Sequence, residues 1–173
     1  PDLELISFLK QKKSLVYHKP KSKMKTQGTG WSWDDYSYYY AAETSPFPIH
    51  GNTVQGFGDP NTPKFIPDSF ETFLTQDTLA KNLKRERFKN RFHYNPKKWN
   101  SLDTLYRPFI TSDNVFVRLL KENLNLPVHL SNEYENFQWK LLYTHQEELL
   151  YKALLQDSDN GVAEALLAMI SQK

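Results

Sequence analysis

The residues best suited to chemistry are Ser158-Asp159-Asn160, set between two apolar-periodic stretches. A serine hydroxyl both gives and accepts a proton. An asparagine amide offers two donors and an acceptor at fixed spacing. Pointed into one cleft, the pair can hold an amide substrate and relay a proton to its leaving nitrogen. The same letters also serve as an ordinary helix stop and start, with Ser or Asp as the N-cap. The triplet recurs at Ser112-Asp113-Asn114, again ahead of helical periodicity. Three letters therefore do not choose between a site and a cap.

Other candidates are weaker. His18, His50, His93, His129 and His145 are scattered without helical metal-ligand spacing, so neither a metal nor any other cofactor is expected. The chain has no cysteine, which excludes disulfides, thiolate metal sites and a cysteine nucleophile within it. Asp34 and Asp35 are adjacent on a segment read as extended. Their side chains then point to opposite sides, which suits turn anchors better than a shared acid–base site. Trp31 to Tyr40 is dense in aromatics that can stack sugars or bases, or pack one part of the fold on another. Lys84-Arg85-Glu86-Arg87 reads as a solvated charged face.

Composition bounds what remains. The 173 residues carry 22 basic and 20 acidic side chains, a net charge of +2 that argues against general polyanion and nucleic-acid binding. Aromatics make up 14% of the chain, which favours a folded protein over disorder. The longest apolar stretches are far short of a membrane span.

The periodicity predicts a mixed α+β fold. Residues 2–12 are helical, and residues 12–30 read as a strand followed by a basic loop. Residues 31–58 are extended or tightly turned, with a strand near Ile49–Val54 kinked at Gly51-Asn52. Residues 81–98 read as a basic helix or as two short strands around Asn90, with Phe88, Phe92 and Tyr94 sharing a parity. Thr111 or Ser112 caps a helix that buries Val115, Leu119 and Leu120 and ends at Asn123–Asn125. Pro127–Leu130 is a short strand, and Phe137–Tyr143 another. Thr144-His145-Gln146-Glu147 matches a capping box. The helix after it turns Leu149, Leu150, Ala153 and Leu154 inward. A last helix, from about Val162 to Ile170, buries Val162, Ala165, Leu166, Met169 and Ile170.

The wider context of the second triplet is more specific. The stretch from Leu149 to Leu167 places Ser158-Asp159-Asn160 after an amphipathic helix and before Ala163-Glu164 and Leu166-Leu167. It resembles the second active-site element of the D-Ala-D-Ala carboxypeptidase/endopeptidase family, the class C low-molecular-mass penicillin-binding proteins. Gly30-Trp31-Ser32-Trp33-Asp34-Asp35, Tyr38-Tyr39-Tyr40-Ala41-Ala42 and Pro48 to Val54 resemble a second block of that family, in the same order. Pro108 to Ser112 is a weaker third. Thr144-His145-Gln146 departs from the Ser and Pro that the family tends to have there.

The resemblance implies a partial penicillin-binding domain with part of a β-rich accessory insertion. Residues 1–100 would be the accessory region with its Trp/Tyr-rich loop, and 101–173 the helical part with the Ser-x-Asn element. It implies a periplasmic, peptidoglycan-processing serine hydrolase acting through an acyl-enzyme. Its partners would be peptidoglycan stem peptides and β-lactams, with neither nucleic acid nor a membrane span. Ser158 would relay the proton, Asn160 would bind the substrate amide and steady the catalytic lysine, and Asp159 would face away and cap the next helix. The family's nucleophile lies in a Ser-x-x-Lys element and its substrate carboxylate on a Lys-Thr-Gly strand. The chain has no Lys-Thr-Gly, Lys25-Thr26-Gln27 being the nearest approach, and its Ser-x-x-Lys spacings, Ser7 to Lys10 and Ser22 to Lys25, fall outside the resembling blocks. The expectation is therefore an inert internal slice of a longer protein, prone to self-association or to pairing with the rest of its fold. The alternative is a non-catalytic cell-wall or protein-binding module derived from that family.

Overall fold

The computed structural model describes residues 3–19, 25–28, 30–133, 147–156 and 159–171. Helices and sheet are mixed, as the periodicity predicts. Helix α1 (Leu3–Lys10) leads to strand β1 (Leu15–His18). Two short 3-10 turns, Trp33–Ser37 and Tyr39–Ala41, carry the aromatic run. Strands β2 (Thr53–Phe57), β3 (Lys64–Ile66), β4 (Leu74–Gln76), β5 (Leu83–Arg85), β6 (Phe92–Tyr94) and β7 (Leu105–Pro108) follow. Helix α2 (Asp113–Leu124), strand β8 (Val128–Ser131), and helices α3 (Glu147–Leu155) and α4 (Asn160–Ser171) complete the order. Both the strand read at Phe137–Tyr143 and the capping-box residues Thr144 to Gln146 lie outside the described residues.

The strands form three small sheets. Strand β2 lies between β3 and β7, antiparallel to both. Strand β6 lies between β4, to which it runs parallel, and β5, to which it runs antiparallel. Strand β1 pairs in parallel with β8, Leu15 opposite Val128. Among the described residues, six of the eight strands precede residue 100 and three of the four α-helices follow it. The β2–β7 pairing nevertheless crosses that point, and so does the core.

That core is aromatic because the strands are too short to bury much surface with aliphatic residues. Phe65 and Phe92 meet edge to face at 5.4 Å, and Phe70 meets Phe92 edge to face at 5.9 Å. Phe70 stacks on Phe109 at 5.0 Å. Val54, Leu83 and Leu119 fill the gaps. Gly56 on β2 is a close approach: a Cβ there would lie 2.8 Å from both Phe65 Cε1 and Trp99 Cη2. Trp99 is fixed in turn by its indole N–H, which donates to the Gly58 carbonyl at 3.1 Å.

Helix α2 starts where the sequence directs. Ser112, not Thr111, is the N-cap, and its Oγ accepts the Val115 N–H at 3.3 Å. Asn125 ends the helix in the left-handed region, at φ 53°. The buried face is Phe116, Val117, Leu119 and Leu124, so it is rotated from the expected Val115–Leu119–Leu120 stripe towards β8 and β1.

Residues 81–98 resolve as two strands. Phe92 and Tyr94 are buried, but Phe88 is exposed because it sits on the connecting turn, where strand parity does not apply. Helix α3 departs most from expectation. Leu149 and Leu150 are exposed, Ala153 and Leu154 are half-buried on the expected side, and none of its residues is fully buried. Ile170 on α4 is also exposed, whereas Val162, Ala165 and Leu166 are half-buried. The side chain of Met169 is not among those described. Helices α3 and α4 pack on each other, and nothing described covers their outer apolar face. No described helix is long and apolar enough to cross a membrane.

Gly56→Ala is expected to lower the unfolding free energy by about 1–3 kcal/mol, because an added methyl over-packs the ring cluster. Urea denaturation measures it, and an unchanged midpoint would contradict this packing.

Candidate functional site

A cleft of about 460 Å³ lies between the 39–53 segment and the start of α4. It is lined by Tyr39, Tyr40, Glu43, Ser45 and Asn52, by Tyr106 of β7, and by Asp159, Gly161, Val162 and Ala165. Residues more than a hundred positions apart, quoted separately for their resemblance, thus border one hollow. A second contact joins the same regions. A Cβ on Gly28 would lie 2.6 Å from Trp31 Nε1 and 3.0 Å from Glu164 Oε1, so the tryptophan block abuts α4.

Asn52 organises this lining. It is 2% exposed and sits at φ 55°, a conformation that asparagine adopts more readily than most side chains. Its Nδ2 donates to the Glu43 carbonyl at 2.7 Å and to Ser45 Oγ at 2.9 Å. Its Oδ1 accepts the Ile49 N–H at 3.3 Å, and its carbonyl accepts the Phe109 N–H at 3.0 Å. Glu43 adds a second tie, since Oε2 accepts both the N–H and the hydroxyl of Thr111 at 2.7 Å. Thr111 is thus spent on Glu43 and leaves the helix cap to Ser112.

The aromatic wall is anchored by a buried cation. Arg85 donates from Nη2 to the Tyr36 carbonyl at 3.0 Å, and its backbone N–H donates to Ser37 Oγ at 3.2 Å. Burial pulls its pKa below the ordinary arginine value, opposed by the charge of Glu43. Asp34 faces Arg87 at 4.0 Å, which fits its reading as an anchor of this loop. Desolvation and then the Asp35 carboxylate hold the Tyr40 phenol above its usual range, so it stays a protonated donor at neutral pH.

Asp159 is the N-cap of α4. Its Oδ1 accepts the Val162 N–H at 3.1 Å, and its own N–H reaches back to the Ala153 carbonyl at 2.9 Å. It caps the helix as expected, but it borders the cleft instead of facing away from it. Asn160 is the first residue of α4, but its side chain is not among those described, and Ser158 lies outside the described residues. The described charged groups of the lining, Glu43 and Asp159, are both acidic. The sequence reading did not single out Glu43, Asn52 or Tyr106 individually. The signal for the first two was their place in or beside the Tyr38–Ala42 and Pro48–Val54 blocks. Tyr106 carried none.

No protein-family model matches the chain, and no curated protein sequence matches it. Among solved structures, penicillin binding protein 4 (dacB) from Haemophilus influenzae is similar, with a TM-score of 0.63 and 19% sequence identity. The match covers 96% of this chain and 44% of that one. The fold is penicillin-binding-protein-like. At that identity the likeness is one of fold, and the chain spans less than half the length of the protein it matches. The penicillin-binding-protein-like fold accounts for how blocks so distant in sequence come to share one cleft.

Asn52→Ala is expected to cost about 2–4 kcal/mol, by leaving buried partners unsatisfied and placing alanine at positive φ. Denaturant unfolding measures the loss. Near-UV circular dichroism should change as the tyrosine wall loosens, and an unaltered spectrum would remove Asn52 as the organiser.

Proposed function

We propose that the chain is the Ser-x-Asn-bearing part of a serine-type D-Ala-D-Ala carboxypeptidase/endopeptidase. Such an enzyme works on peptidoglycan stem peptides in the periplasm and is acylated by β-lactams. The observation that carries this reading is the position of Asp159 and Gly161 on the wall of the 460 Å³ cleft, within a penicillin-binding-protein-like fold. Residues flanking Ser158 and Asn160 are thereby at a hollow of the size a peptide end requires. On this reading residues 1–100 are the accessory part and 101–173 the helical part of the enzyme domain.

The chemistry divides by residue. The Ser158 hydroxyl passes the proton from the base to the departing amine as the acyl-enzyme forms. The Asn160 carboxamide hydrogen-bonds the substrate amide and steadies the catalytic lysine. The Lys-Thr-Gly strand is supplied by a longer protein, since that triplet does not occur in these 173 residues. The nucleophile is assigned to the longer protein with it, because Ser7 of the Ser7–Lys10 spacing lies within α1 and does not line the cleft.

One observation favours a second reading, a binding module without catalysis. Trp33, Tyr38 and Tyr39 are more than half exposed, as ligand-stacking rings are. A reading frame with Ser-x-x-Lys upstream and Lys-Thr-Gly downstream supports the enzyme, and a frame with neither supports the module.

Incubated with a fluorescent penicillin, the 173-residue chain is expected to form no covalent adduct, because on this reading the nucleophile belongs to the longer protein. An adduct would overturn that assignment. In a longer protein that contains the chain, Ser158→Ala is expected to slow acylation by about a hundredfold or more at unchanged melting temperature. Wild-type acylation rates in the variant would remove Ser158 from the mechanism.

A further inference from the structure

The β5–β6 turn presents an aromatic ring to water and holds it there. The turn is closed by the Glu86 N–H, which donates to the Arg91 carbonyl at 2.8 Å. From inside, Arg85 Nη1 donates to the carbonyls of Glu86 and Arg87 at 2.8 and 3.0 Å. From the other side, Asn90 is bonded to Ile110 twice. Its Nδ2 donates to the carbonyl at 2.8 Å, and its Oδ1 accepts the N–H at 2.6 Å. A turn tied at both ends cannot fold its tip back onto the core. Phe88, at that tip, is 82% exposed.

The surroundings of Phe88 are aromatic and cationic. The Arg87 guanidinium lies 3.4 Å above the Trp33 ring and 5.5 Å from the Phe88 ring, and Trp33 is 64% exposed. Residues 81–91 contain six cations, Lys81, Lys84, Arg85, Arg87, Lys89 and Arg91, against the single carboxylate of Glu86. The whole chain carries only +2, so this excess is local. Glu86 is already engaged by His93 at 3.0 Å and Arg91 at 3.5 Å. Lys81, Lys84, Lys89 and Arg91 are exposed.

We propose that this turn docks on an anionic phospholipid surface. Phe88 and Trp33 enter the headgroup layer, while Lys84, Lys89 and Arg91 face the lipid phosphates. Charge complementarity selects an anionic partner. The fixed, water-exposed ring selects one with an apolar layer beneath its charges, since a soluble polyanion needs the cations alone. Tryptophan beside the tip suits the same boundary, where one end of the ring is apolar and the other wet. Cationic stems lie along the apolar layer while their heads stay with the phosphates. This peripheral contact requires no membrane span and is independent of the catalytic reading.

The test is flotation of the chain with vesicles of phosphatidylcholine alone or mixed with phosphatidylglycerol. Binding is expected to the mixed vesicles only and to weaken with added salt. Phe88→Ala should lower the partition coefficient about tenfold without altering the melting temperature, because the ring makes few internal contacts. The double substitution Lys84→Glu, Lys89→Glu should abolish binding. Brominated acyl chains should quench tryptophan fluorescence, and Trp33→Phe should remove most of that quenching. Absence of binding overturns the proposal. So does binding undiminished by Phe88→Ala, which would mark a polyanion site without insertion. So does binding by this chain that is lost in a longer protein containing it, which would mean that the remainder of that protein covers the turn.

Discussion

The cleft depends on one buried carboxamide. Asn52 bonds backward to Glu43 and Ser45, locally to Ile49, and through its carbonyl forward to Phe109. It therefore joins the aromatic segment, β2 and the approach to α2. A side chain with both donors and an acceptor is needed, because the surrounding groups present both kinds of vacancy. Aspartate would lack the donors, and a charge at 2% exposure would be costly to desolvate. The left-handed backbone adds a second selection, which glycine would meet without supplying the bonds.

Arg85 plays the matching part for the aromatic wall. A buried guanidinium is normally expected beside a carboxylate, yet its hydrogen-bond partners here are the carbonyls of Tyr36, Glu86 and Arg87. Planar, forked donors can serve several diverging carbonyls at once, which lysine could not. The arrangement fixes two irregular segments, the 33–41 turns and the β5–β6 turn, against one strand. It explains how a segment with so little regular structure can form a wall. It also explains why Trp33 and Phe88 both come near the Arg87 guanidinium, since the cation that pins Tyr36 also pins the turn bearing Phe88.

What could be read in the sequence follows the range of the interactions involved. Helices α1, α2 and α4 and strands β1 and β8 were legible, because caps and periodicity act within a few residues, whereas 81–98 was left open between a helix and the two strands it forms. The grouping of the Tyr38–Ala42, Pro48–Val54 and Asp159–Gly161 segments was not legible, since no local rule links positions more than a hundred apart and the resemblance gave the blocks only their order along the chain. The orientation of Phe88 was not legible, because strand parity was extended through a turn that breaks it. The α3 leucines were misread for a different reason. Amphipathic periodicity says that a face is apolar and says nothing of what covers it. The Asp159 cap was legible from its type. The roles assigned to Ser158 and Asn160 rest on the resemblance and on the cleft beside them.

The uncovered surfaces are mutually consistent. Parallel strands normally lie within sheets covered on both faces, and a two-stranded sheet alone is marginal. The β1–β8 pair is covered by α2 on one side, where Val128 is buried and Tyr17 meets Phe116 at 6.2 Å. Val16 and Leu130 on the same pair remain exposed. Leu149, Leu155, Leu167 and Ile170 face outward from α3 and α4. Burying such side chains is worth about 1.5–3 kcal/mol each, so leaving several in water forgoes a large share of a domain's stability. On the functional reading, further strands of a longer penicillin-binding-protein-like chain extend β1–β8, and its helices cover α3 and α4. Completing the fold and completing the catalytic cleft are then one event, because the start of α4 borders the cleft through Asp159 and Gly161 while the same helix carries the uncovered Leu167 and Ile170.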